Sequence, residues 1–128
     1  MKTANICIID DNVAVCDSLK FLFESFLTLK IKLTVKTYND PLIFLQEFPH
    51  DWEGCLIIDL FMPSMNGIDL IIELKKINPN IHIIIISGHG TAYTGALALE
   101  SGASAFITKP FKTDHLLDKV KQFLKIDD

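Results

Sequence analysis

Four apolar segments of this chain each end in a polar residue that could take part in chemistry. Carboxylates follow two of them, at Asp10-Asp11 and at Asp59, while Ser87 follows a third and Lys109 a fourth. An aspartate can act as a nucleophile, a hydroxyl can donate a hydrogen bond, and an ammonium group can neutralise an anion. Three carboxylates close together repel one another, by roughly 4 kcal/mol per pair at 4 Å and an effective dielectric of 20. If the fold brings them together, we expect them to hold a divalent cation.

The residue types also indicate which cation the carboxylates would hold. Carboxylate oxygens without a nearby His or Cys ligand favour Mg²⁺ or Mn²⁺ over zinc. Lys109 could pair with an anionic ligand or with Asp59. A structural interpretation stays open for each residue alone, because an Asp that follows a strand often caps the next helix. The coincidence of polar residues at four segment ends favours a common site.

Two alternating apolar patterns predict the elements that carry these residues. Short β-branched runs predict strands, and the longer segments between them have helical spacing. One helical stripe comprises Leu19, Leu22, Phe23, Phe26 and Leu27, and another comprises Leu116, Leu117, Val120, Phe123 and Leu124. The predicted strands are Asn5–Ile9, Lys32–Thr37, Cys55–Ile58, Ile81–Ile86 and Ser104–Thr108.

Capping residues mark several helix boundaries. Asp40-Pro41 predicts an N-cap followed by proline at the first helical position, in a short helix that ends near Phe48. Asn66, with an acidic residue three positions on, predicts the start of a helix over Gly67–Ile77. Gly102 suits the C-terminal cap of the helix that precedes it.

The order of elements predicts an α/β fold with five strands and five helices in strict alternation. Right-handed crossovers then give a doubly wound parallel sheet that is covered on both faces. Lys32–Thr37 alternates polar and apolar residues, so we expect an edge strand and the strand order 2-1-3-4-5. Ligands of such sheets bind at the carboxyl ends of the strands, which is where the polar residues are predicted to converge.

Composition limits the classes of protein to which the chain could belong. Its 128 residues, 49% of them hydrophobic, predict a single domain over residues 1–128. All 12 basic residues are Lys and the net charge is −4, so we expect no direct nucleic-acid partner. Three cysteines without a C-x-x-C pair predict reduced, buried thiols in a cytoplasmic protein. The apolar run Ile83–Ile86 is too short to span a membrane, and no secretory signal is recognisable.

Four motifs give the chain a resemblance to a known family. The most specific is Asp-x-x-Met-Pro followed by Gly, within Asp59–Gly67. The others are Ile9–Asn12, Ile86–Gly90 and Thr108–Phe111. With these residues the chain resembles the receiver domain of bacterial two-component response regulators, of the nitrogen-regulation and nodulation type, from about residue 5 to residue 124. The resemblance implies a flavodoxin-like fold and a phosphoacceptor signalling switch rather than an enzyme that turns over a substrate.

The resemblance also implies a role for each polar residue. Asp59 would accept a phosphoryl group from a sensor histidine kinase or a phosphotransfer protein. Asp10 and Asp11 would hold Mg²⁺ together with Asp59 and the backbone carbonyl of Phe61. Ser87 would donate a hydrogen bond to the phosphoryl group, and Lys109 would balance its charge.

The resemblance further implies residues that would transmit the conformational change and set the lifetime of the phosphoryl group. Phe106 matches an aromatic switch position that would move inward with Ser87; without a hydroxyl, it would respond through packing alone. Phe61 and His89 are expected to flank the path of hydrolytic water. Tyr93 and either Leu97 or Leu99 are expected to be exposed on the fourth helix. That helix, with the fifth strand and fifth helix, would form a phosphorylation-sensitive surface for a homodimer or a target.

Two other functions compete with the switch. The first is a Mg²⁺-dependent phosphatase with an Asp nucleophile, a class that usually has Asp-x-Asp after its first strand, whereas this chain has Asp10-Asp11-Asn12. The second is a scaffold that resembles a receiver and is never phosphorylated. The presence of Asp10, Asp11, Asp59, Ser87 and Lys109 together argues against the scaffold.

Overall fold

Strands and helices alternate along the chain in the computed structural model, which describes residues 2–27 and 31–126. Within these residues there are five strands and five helices, and each strand is followed by a helix. The strands are β1 Lys2–Ile9, β2 Ile31–Tyr38, β3 Cys55–Asp59, β4 His82–Ser87 and β5 Ala105–Thr108. The helices are α1 Val13–Phe26, α2 Pro41–Glu47, α3 Gly67–Ile77, α4 Ala92–Ser101 and α5 Thr113–Leu124.

The strands form one parallel sheet in the order β2-β1-β3-β4-β5, which confirms the predicted fold class and strand order. β2 lies at an edge of this sheet and pairs with β1 along its whole length. Ile31 and Val35 are buried, whereas Lys32 and Lys36 are exposed. The alternation that predicted an edge strand therefore corresponds to one covered and one solvated face of β2.

Each face of the sheet carries its own apolar layer. On β1, Ile6 and Ile8 pack with α1 and α5, while Cys7 and Ile9 face α2, α3 and α4. Near-continuous apolar strands suit this arrangement, because both faces of a parallel sheet are covered by helices. Within the described residues, no helix has the length and apolar character needed to cross a bilayer.

The three cysteines are free and buried, as their apolar surroundings predicted. Burial raises the pKa of Cys7 and Cys55 to about 12 and that of Cys16 to about 11. Their thiols are therefore protonated at neutral pH, and they pack as small apolar groups.

The predicted caps are confirmed. Asp40 accepts a hydrogen bond from the backbone N–H of Leu42 at 2.9 Å, and Pro41 occupies the first position of α2. Asn66 accepts from the backbone N–H of Asp69 at 2.9 Å at the start of α3. Gly102 ends α4 with a φ of 122°, which a residue with a side chain rarely adopts.

Some predicted details are wrong. Phe26 is 60% exposed, although it was assigned to the buried stripe of α1. The buried stripe is centred on Cys16, Leu19 and Phe23, and Phe26 lies at its margin in the last turn. β3 and β4 also extend one residue further than the apolar runs, so Asp59 and Ser87 belong to the strands themselves.

Trp52 lies just before β3, at the amino-terminal edge of the sheet. Its ring centroid is 5.9 Å from that of Phe48, and its backbone carbonyl accepts a hydrogen bond from the side-chain amide of Asn78 at 3.0 Å. The strand that follows carries Asp59 at its opposite end.

Candidate functional site

The sheet brings the predicted polar residues together at its carboxyl edge. Asp10 and Asp11 follow β1, Asp59 and Ser87 end β3 and β4, and Lys109 follows β5. Asp10, Asp11 and Asp59 each offer a carboxylate oxygen, and these oxygens all lie within 4.8 Å of one another. This acidic cluster of Asp10, Asp11 and Asp59 could therefore hold a metal ion.

The pKa values show that the acidic cluster is electrostatically unfavourable by itself. Burial, followed by the charge of Asp10, raises the pKa of Asp59 to about 6, although Lys109 opposes the rise. Burial also raises the pKa of Asp10, opposed by the N–H of Asn12 at 2.9 Å and by Lys109. One ammonium group does not offset three neighbouring carboxylates. Hard oxygen donors with an excess of negative charge fit a divalent cation such as Mg²⁺.

A close backbone contact fixes the end of β3 where Asp59 lies. The N–H of Gly67 donates to the carbonyl of Leu60 at 2.7 Å. A Cβ atom at Gly67 would come within 3.0 Å of the carbonyl oxygen of Asp59 and of the Cα atom of Leu60. Glycine at this position therefore lets α3 begin directly against the strand end, which is a physical reason for the Gly in the third-strand motif.

Ser87 is fully buried beside the cluster, and backbone bonds link it to β5. Its hydroxyl oxygen accepts a hydrogen bond from the N–H of His89 at 3.2 Å, and its carbonyl accepts from the N–H of Lys109 at 2.8 Å. The Lys109–Pro110 peptide is cis. These bonds tie the ends of β4 and β5 together, and the ammonium group of Lys109 acts electrostatically on Asp59.

The ring of Phe106 fills a slot between two glycines, Gly90 and Gly95. A Cβ atom at Gly90 would lie 2.6 Å from Cζ of this ring and 3.4 Å from Cβ of Ser87, and one at Gly95 would lie 3.2 Å from Cδ1 of the ring. Neither glycine was predicted to form part of the site. The signal that could have revealed the slot is Gly95, a helix-weakening residue inside α4.

Phe61 and His89, the two residues predicted to flank the path of water, do lie together. Their ring centroids are 6.4 Å apart and the rings meet edge to face at 61°. Phe61 remains 48% exposed, so its ring lies at the protein surface beside His89.

Asn39, after β2, is a further contact of the site that the sequence analysis missed. Its side-chain amide donates to the backbone carbonyl of Asp10 at 3.0 Å. No residue type or spacing marks this contact, because its acceptor is a main-chain atom on a distant segment.

α4 presents the exposed apolar surface that its weak amphipathic pattern predicted. Tyr93 is 76% exposed and Leu99 is 50% exposed, while Leu97 is partly buried. On α5, Lys119 and Lys121 are partly buried, so the lysine-bearing face of this helix is only partly open to solvent.

The chain thus combines a doubly wound parallel sheet with an acidic cluster, a hydroxyl and a lysine at the carboxyl ends of its strands, where domains of the flavodoxin-like class place their sites. The family model described as Response regulator receiver domain matches residues 6–121. The chain therefore belongs to the response regulator receiver domains of two-component systems. Members of this family are signalling switches and generally not enzymes.

Known relatives agree with this assignment. Response regulator protein TodT of Pseudomonas putida is 38% identical over 125 residues, which cover 98% of this chain and 53% of that protein. Nodulation protein W of Bradyrhizobium diazoefficiens is 33% identical over 117 residues, or 91% of this chain and 49% of that protein. The crystal structure of FixJ-N has a TM-score of 0.84 and 30% identity, and the match covers 100% of this chain and 98% of that one. The chain thus spans about half the length of the curated relatives it matches.

Proposed function

We propose that the chain is a phosphoacceptor switch in which Asp59 takes a phosphoryl group from a phosphohistidine. The donor would be a sensor histidine kinase or a phosphotransfer protein, and the transfer would require Mg²⁺, for which Mn²⁺ could substitute. The observation that carries the proposal is the position of Asp59, where the charges of Asp10, Asp11 and Lys109 all act on its carboxylate. With its pKa near 6, Asp59 is mostly ionised at neutral pH and can act as the nucleophile.

The geometry supports a division of roles around Asp59. Asp10, Asp11, Asp59 and the backbone carbonyl of Phe61 would hold Mg²⁺, which when bound supplies positive charge to the transferred phosphoryl oxygens. An Asp59 carboxylate oxygen forms the new bond to phosphorus while the bond from phosphorus to the donor imidazole nitrogen breaks. Lys109 then balances the charge that the phosphoryl group brings.

The same site supports a switch in surface shape. The hydroxyl of Ser87, which now accepts from the N–H of His89, would turn to donate to a phosphoryl oxygen. Phe106 contacts the same loop at Gly90, so a movement of Ser87 changes the packing of that ring. The surface formed by α4, β5 and α5, with Tyr93 and Leu99 exposed, would then favour a homodimer or a target.

The proposal extends to the whole protein in two respects. Since relatives about twice as long include transcriptional regulators, DNA binding would belong to an output domain or to a partner rather than to these residues. Three free, buried thiols are compatible with the proposed cytoplasmic location.

Treatment with acetyl phosphate and Mg²⁺ tests the central proposal. We expect intact-mass measurement to show one acid-labile phosphoryl group per chain, absent in Asp59→Asn and absent when EDTA replaces Mg²⁺. Exposed Asp51, near the opposite edge of the sheet, provides the matched control, and Asp51→Asn should be modified like the parent. Multiple turnover on phosphate monoesters would support the phosphatase instead, and a parent without any adduct would support the scaffold.

A further inference from the structure

The turn between β2 and α2 touches both loops that carry the carboxylates, although it adds no side chain to the acidic cluster. This turn consists of Asn39 and Asp40. The amide of Asn39 donates to the carbonyl of Asp10 at 3.0 Å, in the loop after β1. Oδ1 of Asp40 accepts from the hydroxyl of Ser64 at 3.2 Å, in the loop after β3. The turn therefore bridges the two segments whose spacing sets the shape of the cluster.

Asp10 is held through its backbone as well as by its burial. Its N–H donates to the carbonyl of Tyr38 at 3.0 Å, and its carbonyl also receives the thiol of Cys16 at 3.4 Å. The peptide unit between Asp10 and Asp11 is planar, so fixing this carbonyl also fixes the N–H and Cα of Asp11. One amide from Asn39 thus helps to orient both carboxylates of the β1 loop.

This orientation matters more for a small cation than for a large one. Mg²⁺ requires near-octahedral ligands at about 2.0–2.1 Å, whereas Ca²⁺ accepts irregular ligand sets at about 2.3–2.6 Å. Repulsion within the metal-free cluster tends to push the loops after β1 and β3 apart. A bond that resists this separation should therefore favour Mg²⁺ selectively.

We propose that Asn39 is a positioning residue that sets the cation preference of the acidic cluster. Its amide holds the Asp10–Asp11 peptide at the spacing from Asp59 that suits Mg²⁺, and the contact between Asp40 and Ser64 supports it from the β3 side. This inference rests on the proposed function, because it assumes that the cluster holds Mg²⁺.

Calorimetric titration of the metal-free protein with Mg²⁺ and with Ca²⁺ tests the inference. Asn39→Ala should weaken Mg²⁺ binding by about three- to tenfold, which is the effect of losing one neutral hydrogen bond, and Ca²⁺ binding by less than about twofold. Ser64→Ala should shift the Mg²⁺ to Ca²⁺ preference in the same direction by a smaller factor, because its bond is exposed. Asn80→Ala, an exposed asparagine in the turn before β4, is the matched control and should bind both cations like the parent.

The readouts separate positioning from general stability. If Asn39→Ala weakens both cations equally, or neither, the inference is overturned even when the parent binds Mg²⁺ well. Should Asn39→Ala fail to fold, an unchanged Mg²⁺ to Ca²⁺ preference in Ser64→Ala would overturn it. A parent that binds neither cation would overturn the proposed magnesium site, and the inference would fall with it.

Discussion

Asp59 combines two properties that oppose each other in the metal-free protein. Its position beside Asp10 makes it suitable for holding a cation, but the same burial and charge raise its pKa to about 6 from 3.8. Such a group favours folding while it is protonated and loses that contribution once it ionises. Ionised Asp59 therefore destabilises the folded protein until a cation binds the cluster.

The pH dependence of stability follows from this shift. In EDTA, protonated Asp59 should stabilise the folded protein fully below about pH 4, and this stabilisation should be lost as pH rises through about 6. The reason is that the folded state binds the proton more tightly than the unfolded state does. Asp59→Asn should therefore be more stable than the parent at about pH 7.5, by about 1 kcal/mol after allowance for solvent screening of a half-buried group. Urea unfolding followed by circular dichroism measures the difference.

Two comparisons check the origin of that difference. The gap between parent and variant should close below about pH 4, where the carboxyl of Asp59 is increasingly neutral in the unfolded chain as well. Saturating Mg²⁺ should reverse the gap because the cation binds only the folded cluster. A constant gap at all pH values would contradict the assignment to Asp59 ionisation.

Phe61 is expected to prolong the life of the phosphorylated state. Its ring meets that of His89 beside the strand end, and it is large and apolar enough to exclude water. Phe61→Asn should accelerate autodephosphorylation by about a factor of ten, which corresponds to roughly 1.4 kcal/mol of barrier. Phe21→Asn, which changes an exposed Phe on α1, should leave the rate unchanged. A Phe61→Asn variant that dephosphorylates no faster than the parent would refute the shielding role.

At the scale of elements, the composition of α4 makes room for a side chain of the neighbouring strand β5. Gly95 weakens it by about 1 kcal/mol relative to Ala, and only Gly95 and Ala98 are fully buried in it. The absence of a side chain at Gly95 leaves space for the ring of Phe106, whose Cδ1 atom lies 3.2 Å from where a Cβ atom of residue 95 would be. The packing of α4 therefore depends directly on the position of the Phe106 ring.

A double-mutant cycle tests this dependence. With Phe106→Ala in the background, Gly95→Ala should stabilise the protein by about 1 kcal/mol, because no ring opposes the new methyl group. With Phe106 present, the gain should shrink or reverse, since the ring must move by a few tenths of an ångström. Thermal and urea unfolding measure all four proteins, and equal gains in both backgrounds would mean that the slot does not constrain the ring.

At the scale of the whole molecule, the features that could be predicted from the sequence are those marked by residues at the feature itself. Asp40 and Asn66 mark helix starts because their side chains accept backbone N–H groups, and Gly102 ends a helix with its positive φ. The alternation in β2 reports its edge position. The acidic cluster was predictable because its members lie at the carboxyl ends of apolar runs, and parallel strands end at one edge of the sheet.

Contacts made between distant segments were not predictable in the same way. The slot of Phe106 depends on how α4 lies over β5, and the bond from Asn39 reaches a main-chain carbonyl 29 residues away. Phe26 was misassigned because apolar spacing does not define the width of the buried face: Phe26 lies at its margin and is exposed, whereas Leu27 next to it is buried. These contacts form only when the helices pack on the sheet, so they could not be predicted from the sequence.

The location of Trp52, at the amino-terminal edge of the sheet, determines which changes in this protein its fluorescence can report. It is the only tryptophan of the chain. The five residues of β3, at about 3.3 Å each, separate its neighbourhood from the cluster. Its fluorescence should therefore follow the loss of packing against Phe48 on unfolding and remain silent when a cation or phosphoryl group reaches Asp59. One emission signal can thus monitor global folding during a titration without interference from the ligand.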